Sequence, residues 1–170
     1  MRQLYLMCGL AFTGKTTLAK AIVERTNAAY ISLDEINAER GLWGGAGIPG
    51  EEWEKTHQIA MQRMTELMPH ARDIVLDDTN NLCELRDRFR VNAGRHGYQT
   101  RVIYLDIPLP ELRRRMERNE TTRERAAVKA DIFEELVRDF EPPTEDEDVL
   151  RFSAQEPVES WLQAHFPDES

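Results

Sequence analysis

Three shortages frame this 170-residue chain. It has two cysteines, Cys8 and Cys83, which exclude a disulfide framework and a cysteine-rich metal centre. Cys8 ends an apolar run and reads as a small buried hydrophobe. No apolar run approaches the roughly 20 residues that a membrane-spanning helix needs. Basic residues are outnumbered, 22 Lys and Arg against 31 Asp and Glu, for a net charge of −9. That balance argues against a protein that coats nucleic acid non-specifically, although it leaves room for a local basic groove. Met1 to Leu4 lead straight into the first apolar run, so no leader segment and a cytoplasmic location are expected.

What is present fits one globular domain over residues 1–170, with 41% hydrophobic and 31% charged residues and length enough for its own core. The strongest signal is Gly9-Leu10-Ala11-Phe12-Thr13-Gly14-Lys15-Thr16. It fills every fixed position of G-x-x-x-x-G-K-[ST], the phosphate-binding loop. The apolar run Leu4–Cys8 precedes it, and Leu18, Ala19, Ile22 and Val23 follow at helical spacing. A strand feeding a glycine turn that opens a helix aims backbone N–H groups and the positive end of the helix dipole at one point, where an anion is stabilised. Gly9 to Thr17 are therefore the expected phosphate cradle. Lys15 would reach the β- and γ-phosphates, and the Thr16 hydroxyl would sit on Mg²⁺.

Strand-like runs recur at Leu4–Cys8, Ala29–Leu33, Ile74–Asp77, Thr100–Leu105 and Val149–Phe152. Helical patterns fall at Lys15–Thr26, Glu51–Met68, Leu82–His96, Pro110–Arg118, Lys129–Phe140 and Pro157–His165. This alternation predicts an α/β fold, a parallel sheet with helices on both faces. The methionines of Glu51–Met68 read as core, and Trp161 and Phe166 as the packing of the last helix on the body. None of the four histidines is expected to be catalytic.

Ligands of such sheets bind beyond the carboxyl ends of the strands. Besides the Gly9 loop, those ends carry Asp34 with Glu35, Asp77-Asp78-Thr79-Asn80, and Asp106. Asp77 is placed to hold Mg²⁺ directly or through water; Asp78 to Asn81 could also cap the helix at Leu82, and both can hold together. Asp34 could accept the proton of a hydroxyl that attacks phosphorus, or cap a surface turn. Beyond the fourth strand, Arg113, Arg114, Arg115, Arg118, Arg123 and Arg125 crowd a polar stretch. It can act as a mobile arginine lid over residues 113–128 that stabilises a transferring phosphoryl group, or form ion pairs with Glu111, Glu117 and Glu120. Of the nine glycines, five fall between 41 and 50. That segment, with Trp43 and Ile48, suits a loop covering the substrate.

Together these residues resemble the small P-loop kinases of the polynucleotide-kinase and chloramphenicol-phosphotransferase type. The resemblance rests on Gly9–Thr17, Ile31–Asp34, Val75–Asn80, Arg118–Arg125 and Phe140-Glu141-Pro142-Pro143. It implies a three-layer α/β/α sandwich with strand order 2-3-1-4-5. It also implies ATP and Mg²⁺ at Lys15 and Thr16, Asp34 as the base, and Arg118, Arg123 and Arg125 as the lid over the triphosphate, with Arg118 and Arg123 taking part in catalysis. Polynucleotide kinases carry an arginine three residues after the base, where this chain has Asn37. That departure and the acidic charge favour a small-molecule hydroxyl acceptor over a nucleic-acid 5′-hydroxyl. A nucleotide-binding switch or ATPase is the alternative of another class.

Overall fold

A computed structural model describes residues 1–168; the last two residues of the expected domain, Glu169 and Ser170, lie outside the described residues. Among these, five strands form one sheet in the order β2-β3-β1-β4-β5. They are β1 Arg2–Cys8, β2 Ala29–Ser32, β3 Ile74–Asp77, β4 Tyr98–Asp106 and β5 Val149–Ser153. Every pairing is parallel, and the order is the one the family resemblance implies. The cause is visible in β1. Leu4, Leu6, Met7 and Cys8 are fully buried, and side chains alternate between faces along a strand. Tyr5 and Met7 join a core with α1 (Lys15–Thr26) and α7 (Val158–His165), whereas Leu4 and Leu6 join the opposite core with α3 (Gly50–Leu67) and α4 (Cys83–Arg95). A strand covered on both faces must read as a continuous apolar run. Cys8 is inert in this setting, its thiol pushed up to about 12 by burial.

Three local expectations need correction. The second strand stops at Ser32, and a helix, α2 (Leu33–Glu39), follows where only a turn was expected. Ser32 Oγ accepts the Glu35 N–H at 3.2 Å, and Asp34 and Glu35 occupy the first turn, where carboxylates complement the helix dipole. The helix was illegible because seven residues give too few turns for an apolar period to show. The cluster Asp78–Asn81 does not cap α4 through its side chains. The Glu141 carboxylate accepts the Cys83 N–H at 2.8 Å instead, while Asn80 is buried and donates to the Met7 carbonyl at 2.7 Å. Helix α5 runs Leu109–Thr122, a full turn past the expected end at Arg118. After it comes α6, Ala130–Asp139. Other expectations hold: Met64, Met68, Trp161 and Phe166 are buried.

The acidic segment after α6 is tied down by a buried ion pair. Arg86 of α4 has no solvent exposure. Its Nε and Nη2 donate to the two Glu147 oxygens at 2.8 and 3.0 Å, and its Nη1 donates to the carbonyls of Asn80 and Glu141 at 2.8 and 3.0 Å. Burial acts to raise the Glu147 pKa, but hydrogen bonds from Arg86, the Thr144 N–H and Arg90 outweigh it and hold the carboxyl below its ordinary value. A depressed carboxyl stabilises the fold above its unfolded pKa and loses that stabilisation as pH falls through the folded one. Glu147→Gln leaves Arg86 buried without its counter-charge and should cost about 3–5 kcal/mol in urea unfolding at pH 7. The gap between wild type and variant should narrow as the pH is lowered through the carboxylate range; a gap that stays constant there would show that the pair is not what the variant disrupts.

Candidate active site

The phosphate loop is built by two close approaches. A Cβ at Gly9 would stand 3.1 Å from Thr13 Oγ1 and 3.3 Å from the Leu105 carbonyl. Gly9 is therefore needed because β4 runs against the start of the loop, and its N–H donates to the Thr79 carbonyl at 3.1 Å. At the other end Gly14 has φ 89°, in the left-handed region that glycine occupies without cost. The Leu10 carbonyl accepts from both Thr13 Oγ1 at 2.8 Å and Lys15 Nζ at 2.9 Å. Burial lowers the Lys15 pKa, and the Asp77 and Asp34 charges oppose that shift. Thr16 Oγ1 and the Tyr30 hydroxyl both donate to Asp77 Oδ2, at 2.8 and 2.7 Å. Burial and then the Asp77 charge push the Tyr30 hydroxyl pKa upward, so Tyr30 acts as a fixed donor that aims the carboxylate.

Lys15, Thr16 and Asp77 face one cleft of about 840 Å³. From the loop, Ala11, Phe12, Gly14, Lys15, Thr16 and Thr17 line it. Gly9, Leu10 and Thr13 stand behind them and hold the loop's shape. Asp34 enters the cleft from the first turn of α2. Asp34 is exposed to solvent, yet neighbouring groups partly desolvate its carboxyl. Desolvation raises its pKa, the Asp78 charge adds to that, and Lys15 and Arg125 work against it.

The arginine stretch divides. Arg118 and Arg125 line the cleft. The Arg125 guanidinium lies 4.4 Å from the centre of the Phe12 ring. Burial lowers its pKa, countered by Asp34 and Asp77. Arg123, expected beside them, does not line the cleft. It ends α5 with φ 49°, and the Asn119 side chain clamps the turn by accepting the Arg125 N–H and donating to the Arg125 carbonyl, both at 3.0 Å. Sequence spacing cannot foresee this reversal, because one left-handed residue turns the chain about. Arg115 has no role that its place in the sequence reveals, yet it braces the loop. Its Nη1 donates to the Phe12 carbonyl at 3.0 Å and its Nε to Glu111 at 3.0 Å. Arg113 and Arg114 form ion pairs with Glu134 and Glu111. Asp106 stays outside the cleft and takes Arg151 at 2.9 Å.

His57, which sequence reasoning leaves without a role, lines the cleft. Its Nε2 lies 3.3 Å from Asp78 Oδ2, and its Nδ1 lies 2.8 Å from the Trp53 carbonyl. Burial pulls its pKa down, but the Asp78 hydrogen bond and charge prevail and raise it. Asp78 moves the opposite way: burial raises, and the His57 bond and charge outweigh it and lower. The available signal was a single polar residue within an apolar stripe.

The glycine-rich segment forms a short 3-10 turn, Gly44–Ala46, docked on the chain that follows α5. Trp43 Nε1 donates to the Ala127 carbonyl at 3.0 Å, and the Lys129 N–H donates to the Gly45 carbonyl at 2.9 Å. A Cβ at Gly45 would stand 2.5 Å from the Ala127 carbonyl, a separation that forces the two segments apart.

The donor set can be tested against Mg²⁺. Thr16 and Asp77 offer a hydroxyl and a carboxylate, the hard oxygen ligands that the ion takes. Among the described residues no group of three or more His, Cys, Asp or Glu could hold a metal ion. A site of this kind fits Mg²⁺, which completes its shell with water and substrate phosphates.

Fold and site together define a P-loop nucleotide-binding protein of the kinase-like type. The model of a family described as AAA domain (AAA_33) matches residues 4–143, and the chain belongs to that family. It is 28% identical over 160 residues to a probable gluconokinase of Schizosaccharomyces pombe, covering 91% of this chain and 81% of that one. It superimposes on a sugar kinase from a Janibacter species with TM-score 0.71 and 18% identity, covering 97% of this chain and 92% of that one. It also superimposes on the APS kinase of Mycobacterium tuberculosis in complex with AMPPNP and APS, with TM-score 0.69 and 16% identity, covering 96% and 95%. Among the described residues no helix is long and apolar enough to cross a membrane.

Gly45→Ala should open the roof of the cleft. Overpacking of this kind costs about 1–3 kcal/mol, so proteolytic cleavage within residues 123–130 should accelerate about tenfold or more while the global unfolding midpoint falls little. An unchanged cleavage rate would show that the two segments are not held together by this contact.

Proposed function

We propose that this chain is an ATP-dependent kinase that transfers the γ-phosphoryl group to a hydroxyl of a small molecule. It would work in the cytoplasm as a single domain of the polynucleotide-kinase and chloramphenicol-phosphotransferase type. One observation carries the reading: the Asp34 carboxylate enters the same cleft as Lys15 and the Thr16–Asp77 pair, close enough for the charges to shift one another. A cradle for a triphosphate and a base for an acceptor then share one cavity. In the reaction Asp34 takes the proton of the acceptor hydroxyl as its oxygen attacks the γ-phosphorus. Lys15, Arg118 and Arg125 stabilise the charge that spreads over the phosphoryl oxygens. Mg²⁺ held by Thr16 and Asp77 would neutralise part of the phosphate charge. The roof made by Trp43, Gly45 and residues 127–129 keeps water from competing with the acceptor.

The 5′-hydroxyl kinase reading has less support. Asn37 is fully buried and accepts from Thr56 Oγ1 at 2.6 Å, which fastens α2 to α3. Arg40, the next arginine, is taken up by Glu52 and by Thr56, 2.7 Å away. Neither lines the cleft. An ATPase uses a group beside the phosphates in the same way, to orient water, so label transfer to an acceptor is what separates the two readings.

The test is label transfer from γ-labelled ATP to a panel of sugars, nucleosides, antibiotics and 5′-hydroxyl oligonucleotides. Label found only in inorganic phosphate would end the kinase reading. Asp34→Asn should lower kcat by about 10²–10⁴-fold with nucleotide affinity nearly intact, and Lys15→Ala should weaken both. Because a base must be unprotonated and Asp34 is raised, the acid limb of kcat/KM should lie above the ordinary carboxylate range of about 4. Asp34→Asn should remove that limb.

A further inference from the structure

We infer that the acceptor is an alcohol that carries no anionic group and presents an apolar face to the cleft, with amine-bearing members favoured over acids. This rests on the kinase reading above. The sheet order locates the acceptor end. β2 and β3 lie to one side of β1, so Asp34 and Asp78, which follow them, flank the phosphate loop on that side. Around them stand Trp53 and His57 of α3, Trp43 and Ile48 of the glycine-rich segment, and α6. Two contacts fix α6 there. A Cβ at Gly47 would stand only 3.0 Å from Ile132 Cδ1, and the Glu141 N–H donates to the Asn81 carbonyl at 2.7 Å.

Five basic side chains line the cleft: Lys15, His57, Arg115, Arg118 and Arg125. Lys15 is held on the loop by the Leu10 carbonyl. Arg115 is bound to Glu111 and to the Phe12 carbonyl, and Arg125 covers the Phe12 ring. Arg118 lies on α5 three residues beyond Arg115, one turn along the same face. We assign these four to the phosphate end, Arg118 by its spacing from Arg115. His57 Nε2 is taken up by Asp78 Oδ2 at 3.3 Å. Among the described residues, no basic group remains at the acceptor end to pair with a carboxylate, phosphate or sulfate on the acceptor.

What remains there is acidic and apolar. Glu135 and Asp139 sit four apart on α6 and line the cleft with Leu136 and Ile132. Like charges brought together across a binding surface are strongly disfavoured. Specificity against acids is then built from repulsion as much as from fit. Trp43 and Trp53 offer aromatic faces that receive either an apolar ring or an alkylammonium group. Asp139 takes the adjacent Arg138 at 3.4 Å, so an anionic sugar acid would meet Asp34 and Glu135 with no basic side chain of the cleft left to neutralise it.

Two matched pairs test this: phenyl β-D-glucoside against phenyl β-D-glucuronide, and glucamine against gluconate. Each differs chiefly in the acid group. Binding is read by tryptophan fluorescence with a non-hydrolysable ATP analogue, and transfer by γ-labelled ATP. The non-anionic member of each pair should bind at least tenfold more tightly and be used with at least tenfold higher kcat/KM. Glu135→Lys should narrow that preference. Acids that bind and react as well as their partners, or no difference within either pair, overturn the inference and leave the kinase reading standing. Preferential binding without transfer to any acceptor would keep the charge assignment and overturn the kinase reading instead.

Discussion

The adjacency of β1 and β3 at the centre of the sheet is the constraint on which the cleft depends. The two strand ends are stitched together by the Gly9 N–H on the Thr79 carbonyl, the Asn80 amide on the Met7 carbonyl, and Cys8 Sγ 3.4 Å from the Asn80 carbonyl. The stitching brings Asp77 against Thr16 and leaves Asp78, one residue on, to meet His57. Successive residues leave a strand in opposite directions. Two adjacent carboxylates thus serve two ends of one cavity.

Holding so many charges together at the open end of a sheet costs stability, and the surrounding structure offsets it. Asp77 takes two hydroxyl donors, Lys15 is held by a backbone carbonyl, and Asp78 is matched by His57. Among the described residues Asp34 has no such fixed donor, and it carries a raised pKa. On the kinase reading proposed above, that difference is what a base needs: a group that must accept a proton is left less well satisfied than its neighbours. Behind the cleft, Arg86 performs the structural counterpart, drawing α4, the Asn80 turn and the acidic segment at Glu147 onto one guanidinium.

Most elements were legible because apolar runs and turn residues are local properties of the chain; the strand order was expected only from the family resemblance, since pairing between distant strands is not a local property. The phosphate loop was legible for the same reason, since its glycines and the following helix lie within a few residues of one another. Illegible were features that turn on contacts far apart in the chain or on a single dihedral. Helix α2 is too short to show a period. Arg123 leaves the cleft because its own φ is positive, and Arg115 enters through the carbonyl of Phe12, 103 residues away. In the sequence His57 looks like one more member of a buried stripe, and only its distance from Asp78 distinguishes it.

By itself, then, the chain determined that a parallel α/β sheet would present a phosphate cradle with carboxylates at neighbouring strand ends. Those statements depend on periodicity and turn chemistry, which act over a few residues. Only the tertiary structure decided which carboxylate faces Thr16 and which faces His57, and which arginines line the cleft. Those outcomes depend on strand register and on the docking of α3, α6 and the glycine-rich segment, so a charge is free or matched only once the whole sheet has closed around it.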